Sequence, residues 1–384
     1  MKRFFLTAGS RLLSAVRLAV GAALLAPLPL LMVWYNYTVD CSGFFQGDAY
    51  LREVGNMVLE GKDIVGYEKM NDQQREILKI FVNNIDPVPD VIALGSSRIM
   101  QLSRDVLHID SFFNCSVTGG DRADVMGTFY LFDREDRLPK TFIIGFDPWL
   151  LRSDIIDKRT DKELYAEFLE KCLGVPSDVE YVETDDEEKW LALYSPEYFQ
   201  NNLSYASRDT TGVDKPQVVE GDVYQQTTEV KRGDGSLLYD VNYRNRSQEE
   251  RDTDALFQCG NFLYMEDYDE VDQKCVELFD KFFAYAQERG VNIVIMLTPY
   301  PPIVYDYCEE NAEDYGGFLD TEPTIRELAA KYDIPVYGSY DPDKIEGVTK
   351  ADFYDGLHCT AEAIEKIIGG EDGENEQFMH DLGY

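Results

Sequence analysis

The chain's 384 residues suffice for one large domain or two smaller ones, and 44% of them are apolar, which is ample for a sizeable core. Its 72 acidic against 36 basic residues leave a net charge of −36, a surface that repels phosphate backbones and argues against nucleic acid as a partner. Only three histidines are present, and the seven cysteines (41, 115, 172, 259, 275, 308, 359) form no C-x-x-C pair, so zinc-site spacing is missing; an odd cysteine count defines no disulfide framework.

Residues 1–17 carry Lys2, Arg3, Arg11 and Arg17 and no acid, and Leu18 to Val39 is uncharged and mostly apolar. That length spans a hydrocarbon core of roughly 30 Å. Pro27 and Pro29 are tolerated in such helices, and Trp34, Tyr35 and Tyr37 stand where an interfacial aromatic belt would. The positive flank predicts an amino terminus inside and the remainder, from residue 41, outside. A cleaved signal peptide is the rival, but no A-x-A site is evident and Cys41 follows Thr-Val-Asp. The expectation is a cytoplasmic tail and single-pass anchor over 1–40, then an extracytoplasmic domain over 41–384.

Beyond an uninformative stretch from Phe44 to Lys69, a helical pattern runs from Asp72 to Asn84 through Ile77, Leu78, Phe81 and Val82. Pro87 and Pro89 then deliver the chain to Val91-Ile92-Ala93-Leu94, a short apolar run that reads as a buried parallel strand and ends in Gly95-Ser96-Ser97-Arg98. A second apolar patch, Phe112 to Asp121, ends in Gly119-Gly120. Helical periodicity follows to Leu138-Pro139, and Thr141 to Phe146 reads as a strand closed by Asp147-Pro148. Strand, helix, strand at this spacing is a βαβ signature.

From about 152 to 260 the rhythm breaks into an acidic run (Glu180 to Lys189), aromatic clusters and a hairpin turn at Asp234-Gly235, read as an insertion or cap. The α/β rhythm then resumes. A helix ends at Gly290, Val291 to Pro299 is a strand, a helix runs from Thr324 to Tyr332, and Ile334 to Tyr337 is a short strand. The last helix, from about Ala361 to Ile368, has Thr360 as its cap.

Reactive groups of an open α/β sheet lie just past the carboxyl ends of its strands, where Ser96 and Ser97 stand. Asp355 and His358 are three residues apart, so one turn brings carboxylate and imidazole together. His108 in a polar loop and His380 in the tail suit solvated roles, which leaves His358 as the general-base candidate. These residues resemble the SGNH/GDSL hydrolases, in the membrane-anchored branch similar to the D-alanine transfer protein of teichoic acids and to alginate O-acetylation proteins. Gly95-Ser96-Ser97-Arg98 stands at the first block, with Ser97 as nucleophile. Asn114 to Gly119 matches the second, and Asp355-x-x-His358 the last. The match covers roughly residues 88–150 and 265–370.

The resemblance implies a flavodoxin-like, three-layer α/β fold and a Ser97–His358–Asp355 triad, with an oxyanion held by the N–H groups of Ser97 and Gly119. It implies no metal or cofactor. The substrate would be an acyl ester of a cell-surface glycan or polymer, and a multi-pass membrane-bound O-acyltransferase is the expected partner. The third block departs: Asp147 replaces an oxyanion-donating asparagine, and an ionised aspartate only accepts hydrogen bonds. It is expected to accept backbone N–H bonds that shape the crevice. The alternative function is a catalytically silent scaffold or carbohydrate-binding protein of surface-polymer assembly.

Overall fold

The computed structural model describes residues 27–40, 45, 49–66, 73–180, 190–206, 216–265, 267–369 and 376–384. The chain divides into two compact units: Met1–Arg52 with Val182–Gly212, and Glu53–Tyr181 with Val213–Tyr384.

The larger unit is built on two sheets. Its strands in chain order are β1 (Ile64–Val65), β2 (Val91–Leu94), β3 (Phe112–Asn114), β4 (Thr141–Gly145), β5 (Gln217–Val218), β6 (Val230–Lys231), β7 (Leu237–Leu238), β8 (Asn292–Leu297) and β9 (Val336–Gly338). The main sheet has the order β3-β2-β4-β8-β9, and all its pairings are parallel. Counted within that sheet the order is 2-1-3-4-5, a doubly wound arrangement that reverses direction between β2 and β4. The apolar runs around Val91, Thr141 and Val291 become its three central strands because both faces are covered. On one face Val91, Ala93, Ile143, Val294 and Met296 pack against Ile364, Ile367 and Phe378 of the two carboxyl-terminal helices, Ala361–Ile367 and Glu376–Leu382. On the other, Phe142 meets Phe129 of the helix Arg122–Arg134 at 5.1 Å, and Phe129 meets Phe282 of the helix Gln273–Glu288 at 5.0 Å.

A smaller antiparallel sheet, β5-β1-β6-β7, is drawn from the amino-terminal side and the insertion. Its β6–β7 hairpin turns at Asp234-Gly235, as the sequence predicts. The Asp234 carbonyl accepts the Asn114 N–H at 2.8 Å, and its carboxylate accepts the Arg104 N–H at 2.8 Å. The hairpin therefore occupies the outer edge of β3 and removes an open strand edge.

The helix expected from Thr324 begins instead at Gly316 and runs to Ala330 with Pro323 inside it. Proline removes one backbone donor, but the preceding turn is held by packing: Gly317 lies against the Tyr268 ring, and the Thr321 hydroxyl donates to the Gly317 carbonyl at 2.7 Å.

In the smaller unit, residues 18–26 of the expected anchor lie outside the described residues. Its outer part is a helix, Pro27–Val39. No helix among the described residues is long and apolar enough to cross a membrane.

Candidate active site

The end of β2 lies at the point where the strand order reverses. Gly95 there has φ +153°, and a Cβ on it would stand 2.9 Å from the Gly145 carbonyl at the end of β4. Only glycine permits this close approach. Ser96 is buried, and its hydroxyl accepts the Arg98 N–H at 3.1 Å, fixing the turn Ser97–Ile99. The next side chain along is half-buried Ser97, whose Oγ is 2.9 Å from Nε2 of His358.

Nδ1 of His358 is 2.8 Å from Oδ2 of Asp355. The other oxygen of Asp355 accepts the N–H groups of Leu357 and His358, both at 2.7 Å, so the tight D-x-x-H turn holds its own carboxylate. Burial opposes ionisation of Asp355. The imidazole and the hydrogen bonds from His358, Tyr243 and Leu357 outweigh it and hold the carboxyl below its ordinary range. An ionised Asp355 keeps the proton of neutral His358 on Nδ1 and leaves Nε2 as a base towards Ser97. His108 and His380 are exposed, and neither joins this site.

The second block is fixed against the first. The Val117 N–H donates to the Gly95 carbonyl at 3.0 Å, and a Cβ on Gly120 would meet that same carbonyl at 2.4 Å. Trp149 Nε1 donates to the Gly120 carbonyl at 2.9 Å. Gly119, at φ +63°, lies between these anchors. Neither its N–H nor that of Ser97 has a hydrogen-bond partner among the described residues. Asn114 has a structural task. Its amide donates to the carbonyls of Ile99 and Leu102 at 3.0 and 2.9 Å, fastening the turn that follows Ser97.

Among the described residues Asp147 makes none of the backbone hydrogen bonds expected of it. Its carboxylate is buried and forms an ion pair with Arg98 at 2.9 Å, with the Ser96 hydroxyl as a further partner. Burial pushes its carboxyl up, against the pull of the guanidinium. Arg98 also donates to the carbonyls of Leu357 at 2.9 Å and Pro299 at 3.2 Å, and bonds that of Thr298 at 2.5 Å. Its guanidinium lies 3.5 Å from the Tyr300 ring centroid. One buried arginine thus ties the Ser97 turn to the ends of β4 and β8 and to the residue preceding His358.

Tyr243 and Tyr239 escape sequence reasoning, because they lie in the insertion with no motif around them. The Tyr243 hydroxyl donates a hydrogen bond to Asp355 Oδ2, the oxygen that also faces His358. The Tyr239 ring packs edge-on to the imidazole at 5.9 Å. Tyr243→Phe removes one hydroxyl and keeps the ring contacts to Tyr239 and Tyr354. A hydrogen bond to a charged group is worth about 1.5–3 kcal/mol, so turnover is expected to fall about ten- to a hundredfold with KM unchanged. The stability contributed by ionised Asp355 is present above the ordinary carboxylate range and lost as pH falls towards its depressed folded value. That contribution should shrink in the variant, as denaturation near neutral pH and at about pH 3 would show.

Among the described residues no three His, Cys, Asp or Glu side chains gather as metal ligands would. No family model matches this chain, and no curated protein matches it.

Proposed function

We propose that this chain is a membrane-anchored, SGNH-type serine esterase or O-acyltransferase acting on acyl esters of a cell-surface glycan or polymer. The observation that carries this reading is the unbroken line Ser97 Oγ–His358–Asp355 at the reversal point of a parallel sheet. Ser97 Oγ attacks the acyl carbonyl while His358 Nε2 takes its proton. The tetrahedral oxyanion is held by the N–H groups of Ser97 and Gly119. Its collapse breaks the bond to the leaving oxygen, His358 returns the proton to that oxygen, and an acyl-Ser97 ester remains. A second hydroxyl, activated by His358, then takes the acyl group: water gives hydrolysis, and a polymer hydroxyl gives transfer.

Transfer is the favoured outcome. A tether confines the domain to the bilayer surface and raises its effective concentration, into the millimolar range for a short flexible linker, towards a multi-pass O-acyltransferase in the same membrane. A fluorophosphonate probe should label the wild-type chain at Ser97 and fail on Ser97→Ala; absence of labelling in folded wild-type protein would remove the enzyme reading. Release of the domain by cleavage near residue 42 should preserve cleavage of a small acyl ester but abolish polymer acylation in cells. Unimpaired polymer acylation by the released form would rule out tethered transfer.

A further inference from the structure

The middle of the insertion belongs to the smaller unit, together with the outer end of the proposed anchor. The helix Pro196–Ala206 packs on the helix Pro27–Val39 through an inward polar seam. Asn36 is fully buried; its amide donates to the carbonyls of Ala192, Leu193 and Ser195, and its own carbonyl accepts the Asn202 amide at 3.1 Å. Tyr198 donates to Asp40 at 2.7 Å, and Tyr35 meets Phe199 at 5.3 Å. The chain has thus spent its polar groups inward.

What it turns outward is apolar and aromatic. Trp34 and Tyr37 on the first helix, and Trp190, Leu191 and Tyr194 just before the second, are each 45–66% exposed. Phe45 bridges the two sets, with its ring 5.9 Å from Tyr37 and 5.8 Å from Trp190. A soluble surface seldom leaves so many large apolar side chains together, whereas Trp and Tyr collect where hydrocarbon gives way to headgroups.

We infer that Trp190, Leu191 and Tyr194 form a second contact with the bilayer, seated at the headgroup level beside Trp34 and Tyr37. The inference rests on the anchored reading of residues 18–39 and extends it, because it gives the middle of the insertion a lipid-facing role. The occupant is lipid because the patch adjoins the uncharged run that ends at Val39. The acidic run Glu183 to Glu188 ends two residues before Trp190, with Lys189 alone between, and its net negative charge disfavours anionic headgroups and points to zwitterionic ones.

Full-length wild type, Trp34→Phe, Trp190→Phe and the double variant can be placed in phosphatidylcholine vesicles with and without bromine on the acyl chains near the headgroups. The third tryptophan, Trp149, is buried in the larger unit and contributes a common background. The difference between Trp34→Phe and the double variant is therefore the emission of Trp190, and that between Trp190→Phe and the double variant is the emission of Trp34. Brominated lipid should diminish both. Loss of the Trp34 emission with that of Trp190 untouched overturns the inference while the anchor stands, and assigns the patch to water or another protein. Failure of the chain to float with vesicles, with neither tryptophan quenched, removes the anchored reading and the inference with it.

Discussion

Ser97→Ala should lower ester cleavage or acyl transfer by at least about 10³-fold and leave the melting temperature where it was. The contrast follows from what this side chain touches. Ser97 is half-buried and its hydroxyl contacts His358, whereas the turn beneath it is set by Gly95, by the Ser96 hydroxyl and by Arg98. Removing Oγ deletes the proposed nucleophile without disturbing those supports. Ser96→Ala is the informative neighbour. It removes a buried acceptor of the Arg98 N–H and a partner of Asp147, so it should cost about 1–3 kcal/mol in a denaturation experiment while covalent labelling of Ser97 persists. Activity lost in Ser96→Ala and retained in Ser97→Ala would place the nucleophile one residue earlier.

The parallel sheet was legible because buried parallel strands are apolar runs: the four segments read as strands, together with the apolar patch at Phe112, became the five strands of one sheet. The pairing of Ser97 with Asp355 and His358 was legible for a related reason: strand ends collect at one edge of such a sheet, and only three histidines compete for the role of base. The small antiparallel sheet was not legible. Each of its strands is two residues long, too short to display a period of two, and β1 lies far from its partners in sequence. Tyr243 was hidden by the same long separation, since it meets Asp355 from 112 residues away. Asp147 was legible as a departure from the pattern, but its partner was not. A strand-end aspartate before proline invites a turn explanation, whereas its counter-charge, Arg98, stands beside Ser97 on the neighbouring strand's turn.

That counter-charge makes Asp147→Asn the most disruptive single change expected at this site. A carboxylate accepting only backbone N–H groups would tolerate the swap. Here the amide leaves the Arg98 guanidinium, 2% exposed, without its anion, and breaking a buried pair from one side costs about 3–5 kcal/mol. Arg98→Met strands the opposite charge. Burial already pushes the Asp147 carboxyl up, and without Arg98 it rises further. A carboxyl whose folded pKa exceeds its unfolded one stabilises the protein below the unfolded value and loses that contribution as pH rises through the folded value. Arg98→Met should therefore approach wild-type stability in acid and fall behind it towards neutral pH, whereas Asp147→Asn should show no such recovery. The combination of Arg98→Met with Asp147→Asn removes both charges of this buried pair and should regain much of the lost stability. Activity should not return with it, because the Leu357 carbonyl, one residue before His358, has lost its donor and the imidazole its fixed distance to Ser97. A double variant that recovers both stability and turnover would show that Arg98 holds the sheet ends together without positioning His358. An Asp147→Asn protein as stable as wild type would show that the ion pair contributes nothing to the fold.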